Sequence, residues 1–208
     1  SFKDIRLVKM KIILLYNSAY ISYRYNFDIK LLRKLEVTIF PDLVKRLSLE
    51  SLVESIDIFS DIDFNNQNFN SSKINVYKSN TEINDDVSIV FSKFFSIYEG
   101  HESTVVFLNP LFPFVSIEHL YEGYQIVNSG KYSSAMGYVS LGYDDLYDKD
   151  NVIDWGIFNV VNKDAFLQSN SRLTYPTYLV KLSALELISL RGYEDIDLYD
   201  LIINSGML

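Results

Sequence analysis

The chain has 208 residues, enough for a single large domain with a sizeable core, since 48% of residues are apolar. A formal net charge of −8 argues against a nucleic-acid binder, which carries a basic surplus, and the absence of cysteine excludes a disulfide scaffold, a thiol nucleophile and an Fe–S site. No stretch approaches the roughly 18–20 apolar residues that span a bilayer, and the cysteine-free composition suits the cytoplasm.

Short apolar runs alternate with amphipathic segments along the chain. Residues 11–16 (KIILLY) form a continuous apolar run closed by Asn17-Ser18, which predicts a buried first strand. Residues 17–30 are Tyr- and Ser-rich and read as irregular. Pro41 opens a predicted helix to about Glu54, because proline fits a first helical turn. Strands follow at 56–60 and 74–77, separated by the loop NNQNFNSSK at 65–73. A helix is predicted over 84–98, a strand over 104–108, and a helix over 116–127 with Ser116 as N-cap. Residues 132–141 predict a strand, 143–151 an acidic loop, 157–161 a strand, 163–168 a short helix and 178–182 a strand. A final helix is predicted from 198 onward. This alternation predicts one α/β domain over 1–208, a three-layer α/β/α sandwich with a mainly parallel sheet. Ligands in such folds sit beyond the carboxyl ends of the strands.

Three acidic clusters are candidate cation sites: Asp61-Ile62-Asp63 after the second strand, Asp144-Asp145 with Asp148 and Asp150, and Glu194-Asp195-Ile196-Asp197. An Asp-x-Asp pair at a strand end can offer hard oxygen ligands to Mg²⁺. Short acidic runs are more often solvated turns. Neither the dinucleotide-binding nor the P-loop glycine pattern occurs. His101, His119 and the single Trp155 lack partners at ligand spacing in the sequence and read as structural.

Several segments resemble, in order, the acylneuraminate cytidylyltransferase family, the CMP-sialic acid synthetases. Residues 105–114 (VVFLNPLFPF) resemble its L-Q-P-T-S-P-L-R segment, and 132–135 (YSSA) its Y-S-A strand. Residues 154–158 (DWGIF) resemble its N-G-A-x-Y strand. Residues 194–200 (EDIDLYD) resemble its closing I-D-I-D motif, and 56–61 its strand ending in S-T-D. The resemblance implies a Rossmann-like fold of the nucleotide-diphospho-sugar transferase type. It also implies transfer of CMP from CTP to a nonulosonic, sialic-type sugar acid, with Mg²⁺ and release of pyrophosphate. By match to the closing motif it implies Asp195 and Asp197 as metal ligands, with Asp61 beside them, and on this reading Arg24 replaces a missing cation at the phosphates. Asn17, Ser18, Asn26 and Asn109 then become nucleotide contacts.

The chain departs from that pattern where the phosphates would lie. Residues 14–26 (LLYNSAYISYRYN) contain no glycine, and Arg24 is their only cation. Bulky tyrosines there would crowd a phosphate cradle, and Leu111, Phe112 and Val115 stand where the family has polar or cationic groups. Two other readings therefore stand beside the transferase: a catalytically degenerate binding or scaffold module, and a GT-A-type glycosyltransferase using Asp61 and Asp63. The segment 141–154 is short and mostly acidic where the family has a long dimerisation arm. This predicts a monomer, or a dimer built on another surface.

Overall fold

The computed structural model describes residues 8–64, 69, 71–78, 87–98, 102–139 and 156–206. Among the described residues seven strands form one sheet: β1 (Met10–Tyr16), β2 (Val53–Ser60), β3 (Ile74–Lys78), β4 (Thr104–Leu108), β5 (Ser134–Tyr138), β6 (Phe158–Asn162) and β7 (Thr177–Lys181). Their spatial order is β3-β2-β1-β4-β6-β5-β7. All neighbours are parallel except β6, which runs antiparallel to both β4 and β5. Each strand predicted from the apolar runs is present. The stretch predicted over 132–141 contracts to Ser134–Tyr138.

Side-chain alternation along the buried strands builds two cores. One face of the sheet carries Ile12, Leu14, Ile56, Ile58, Val106, Phe158 and Val160. It packs against α1 (Ser18–Tyr25), α2 (Ile29–Lys34), α3 (Phe40–Leu49), α5 (Ile117–Asn128) and α7 (Tyr193–Ser205). The opposite face carries Ile13, Phe59, Val105, Phe107 and Val161. These meet the aromatic side of α4 (Val87–Ile97) and Phe166 of α6 (Lys163–Ser169). Phe91 stacks on Phe107 with ring centroids 3.7 Å apart. The result is a three-layer sandwich with a mostly parallel sheet.

Two helical regions differ from the sequence-based expectation. Residues 17–30, read as irregular, contain α1 and the start of α2. The helix expected to begin at Pro41 is α3, with Pro41 in its first turn, but it follows directly on α2 and a π-helical turn, and it ends at Leu49 rather than Glu54. A π-helical turn, Leu35–Ile39, joins α2 to α3, and the Phe40 N–H reaches back to the Leu35 carbonyl. Pro41 has no N–H to give to Val37, so the widened turn sits where an α-helical bond is already lost. Likewise α7 begins at Tyr193, ahead of the expected residue 198.

Candidate active site at the carboxyl edge of the sheet

The strand order reverses between β1 and β4: β1 leads to β2 on one side, and β4 leads to β5 on the other. This is the position at which open α/β sheets bind ligands, beyond the carboxyl ends of the strands. Residues following β1 (Asn17, Ser18) and β4 (Asn109) flank it, and Asp61 follows the neighbouring β2.

At β1, Asn17 is the N-cap of α1 and accepts the Tyr20 N–H at 2.7 Å. The amides beyond it point at Asp61. Ser18 donates its backbone N–H to Oδ1 and its hydroxyl to Oδ2 of Asp61, each at 2.8 Å. The Ala19 N–H adds a third bond to Oδ2 at 3.3 Å. A helix N-terminus favours an anion, and here the chain's own carboxylate fills that position.

Glu36 adds a second acid to this corner, carried on the π-helical turn. It accepts the Tyr16 hydroxyl at 3.1 Å. Burial pushes the Glu36 carboxyl above its usual range, the Tyr16 bond opposes this, and the nearby Asp61 charge reinforces it. Burial also raises the Tyr16 phenol, and the charges of Glu36 and Asp61 add to the effect. The rim of β1 and β2 is therefore acidic. Arg24 lies exposed in the last turn of α1, and Asn26 closes that helix in the left-handed conformation at φ 53°, so both belong to its C-terminal end.

At β4, the Asn109 amide donates to the Gly156 carbonyl at 3.0 Å and its carbonyl accepts the Leu111 N–H at 3.0 Å. The Asn109 backbone N–H donates to the Ile157 carbonyl at 2.9 Å. This residue clamps the end of β4 to the start of β6.

The acidic motif at 194–197 lies inside α7. Residues two apart on a helix do not share a face, so Asp195 and Asp197 diverge. Asp195 accepts the Arg191 N–H at 2.8 Å, closing the start of α7, and Asp197 is exposed. The same helix is tied to α2 and α3 by Lys34–Asp200 at 3.0 Å and by the Tyr199 hydroxyl to Asp42 at 2.7 Å. Among the described residues no three His, Asp or Glu side chains converge as a metal site. The expected grouping of Asp61, Asp195 and Asp197 as a three-residue cluster does not form. Asp63, the partner of Asp61 in the glycosyltransferase reading, is exposed while Asp61 is engaged by α1. His101, Trp155, Asp154 and the acidic residues 144–150 lie outside the described residues, as does the segment 141–154 on which the assembly expectation rests.

One constellation escapes the sequence reading. Glu186, 3% exposed, sits in a 3₁₀ turn (Leu185–Leu187) after β7. It accepts the Ser116 N–H at 2.9 Å, and the Ser183 N–H and hydroxyl at 2.8 Å each. His119 Nδ1 lies 2.8 and 3.0 Å from its two oxygens. Burial raises the Glu186 carboxyl, but the Ser116 and Ser183 amides and the His119 bond outweigh it and hold it below its usual range. The available signal was one carboxylate inside the otherwise apolar-rich run LSALELISL, which demands buried partners.

No protein-family model and no curated protein matches this chain. Solved structures do. The 4-diphosphocytidyl-2C-methyl-D-erythritol synthase from Anaerococcus prevotii DSM 20548 aligns with a TM-score of 0.56 at 14% identity, covering 94% of this chain and 99% of that one. The 2-C-methyl-D-erythritol 4-phosphate cytidylyltransferase of Francisella tularensis aligns at 0.59 and 13% identity, covering 93% and 99%. Rv0371c from Mycobacterium tuberculosis H37Rv aligns at 0.58 and 6% identity, covering 92% and 98%. The fold is thus shared, over almost the full length, with proteins that include cytidylyltransferases.

Proposed function

We propose that this chain is a cytidylyltransferase-type protein that takes a cytidine nucleotide at the β1/β4 switch point and transfers CMP to an oxygen of a sugar-type acceptor. The observation that carries the reading is the fold, shared over more than nine-tenths of the chain with solved structures that include cytidylyltransferases. A sialic-type sugar acid as acceptor rests only on the ordered motifs between residues 105 and 200. The Mg²⁺ implied by those motifs would be held by one or two of the Asp61, Asp195 and Asp197 carboxylates together with the nucleotide phosphates, since no cluster of three forms among the described residues.

A second reading is favoured by Asp61. A carboxylate on the α1 amides repels a polyphosphate from the place a helix N-terminus would otherwise offer. On this reading the fold persists as a binding module without transfer. Calorimetry with CTP, with and without Mg²⁺, followed by a pyrophosphate-release assay over sugar acids and polyol phosphates, separates the two. Micromolar CTP binding with turnover supports the transferase. No CTP heat at several temperatures supports the module.

A further inference from the structure

Glu186 and His119 stand on the same edge of the sheet as the switch point, apart from Asn17, Ser18, Asp61 and Asn109 that flank it. The loop after β4 runs from Asn109 to the Ser116 N-cap, and His119 lies in the first turn of α5. The loop after β7 is tied to it by the Leu190 N–H to the Leu111 carbonyl at 2.8 Å. Both loops leave the carboxyl ends of their strands, and the Glu186–His119 contact joins them.

The two partners have opposite environments. The Glu186 side chain is 4% exposed and the His119 side chain 31%. Three donors from Ser116 and Ser183 keep Glu186 ionised and fixed. A fixed carboxylate accepting at Nδ1 requires the proton on that nitrogen. The neutral ring then presents an unprotonated Nε2, and Nε2 enters none of the hydrogen bonds among the described residues. An anchored imidazole with one nitrogen held by a buried carboxylate and the other available is the arrangement that a general base needs.

We infer that His119 is the proton acceptor for the hydroxyl that attacks the nucleotide, with Glu186 as its positioning residue. The assignment rests on the nucleotidyl-transfer reading above with a hydroxyl, such as that of a sugar acid, as the acceptor. As the acceptor oxygen attacks the α-phosphorus, its O–H proton passes to Nε2 of His119. The new O–P bond forms, the bond from the α-phosphorus to the bridging oxygen breaks, and pyrophosphate leaves with that electron pair. The imidazolium so formed lies against the Glu186 carboxylate. Return of the proton to solvent resets the ring.

The test combines kinetics with nitrogen NMR of the full chain, using CTP as the probe. In the wild type, neutral His119 carries its proton on Nδ1; in Glu186→Gln the preference moves toward Nε2–H. His119→Gln binds CTP within about threefold of wild type by calorimetry while turnover falls by about 10²-fold or more. Glu186→Gln lowers kcat by about tenfold or more with KM for CTP little changed. Glu186→Gln removes a buried carboxylate and can fail to fold. The wild-type tautomer and His119→Gln then carry the test alone. An Nε2–H tautomer in the wild type overturns the inference. So does full turnover in a folded His119→Gln that binds CTP normally, which leaves the transferase reading standing. Absence of CTP binding and turnover in the wild type overturns that reading itself, and the catalytic assignment with it.

Discussion

The Asp61 carboxylate takes the Ser18 backbone N–H on one oxygen and the Ser18 hydroxyl on the other, both at 2.8 Å. Two residues 43 positions apart thereby fix the start of α1 against the end of β2. The contact explains how an eight-residue helix of weak amphipathicity holds its place. It also sets a negative charge where this type of fold turns toward its ligand.

Asp61→Asn tests both consequences. Loss of the charged cap costs about 1 kcal/mol of stability, read as a lower denaturant midpoint at unchanged slope. Where the phosphates of CTP approach α1, removal of one like charge is worth about 1 kcal/mol at 4 Å in water, or about fivefold in affinity. Calorimetry of wild type and variant reads this directly. An unchanged CTP affinity places the phosphates elsewhere along the edge.

Glu36 gives a pH dependence whose sign follows from its raised carboxyl. The folded state holds this proton more tightly than the unfolded chain does. That contribution to stability is complete below the unfolded value of about 4.3 and is lost as pH rises through the raised folded value. Glu36→Gln imitates the protonated group and keeps an acceptor for the Tyr16 hydroxyl. The variant melts above wild type at pH 7, and the two converge near pH 4. Thermal melts at both pH values check this, and a variant less stable than wild type at pH 7 contradicts it.

Asn109 separates a clamp from a ligand contact. Its amide bridges Gly156 and Leu111 and leaves two backbone groups without their side-chain partner when truncated. Asn109→Ala costs about 1–3 kcal/mol, read by denaturant unfolding. CTP affinity of the folded variant stays within about threefold. A large loss of CTP binding at unchanged stability would instead make Asn109 a nucleotide contact.

The central strands were legible because they are buried on both faces. Continuous runs such as residues 11–16 and 104–108 can be little else, and their order fixed an α/β sandwich. The helices α1 and α2 were not legible. Their starts depend on side-chain caps from Asn17 and Asp28, and α1 also on Asp61 from a distant strand end. The π-helical turn that delivers Glu36 has no periodicity to read. At the site, single-residue chemistry was visible but grouping was not. Glu194-Asp195-Ile196-Asp197 reads as a metal motif in an extended segment, and it loses that meaning once helical geometry sends its two Asp side chains apart. His119 and Glu186 lie 67 positions apart, and only the fold brings them together.

Gly137 supplies the last test, of the packing that holds the β5–β7 end of the edge. It lies on β5, between Phe158 of β6 and Leu182 just beyond β7. A Cβ added there would come within 2.6 Å of Leu182 Cδ1 and 2.8 Å of Phe158 Cε1. Real Cβ contacts do not reach such distances, so something must move. Leu182 can rotate its methyl away, but Phe158 is 1% exposed and its ring has no free volume to enter. Gly137→Ala therefore overpacks the core by one methyl and costs about 1–3 kcal/mol. At this chain length that is a fall in Tm of about 2–4 °C per kcal/mol. Leu182 leads directly into Ser183 and the turn that carries Glu186. Its displacement is transmitted to the Glu186–His119 contact, so the variant also broadens the His119 nitrogen resonances. A Gly137→Ala protein with wild-type Tm would mean that Leu182 and Phe158 yield at no cost, and that the close approach of β5 to its neighbours does not depend on glycine.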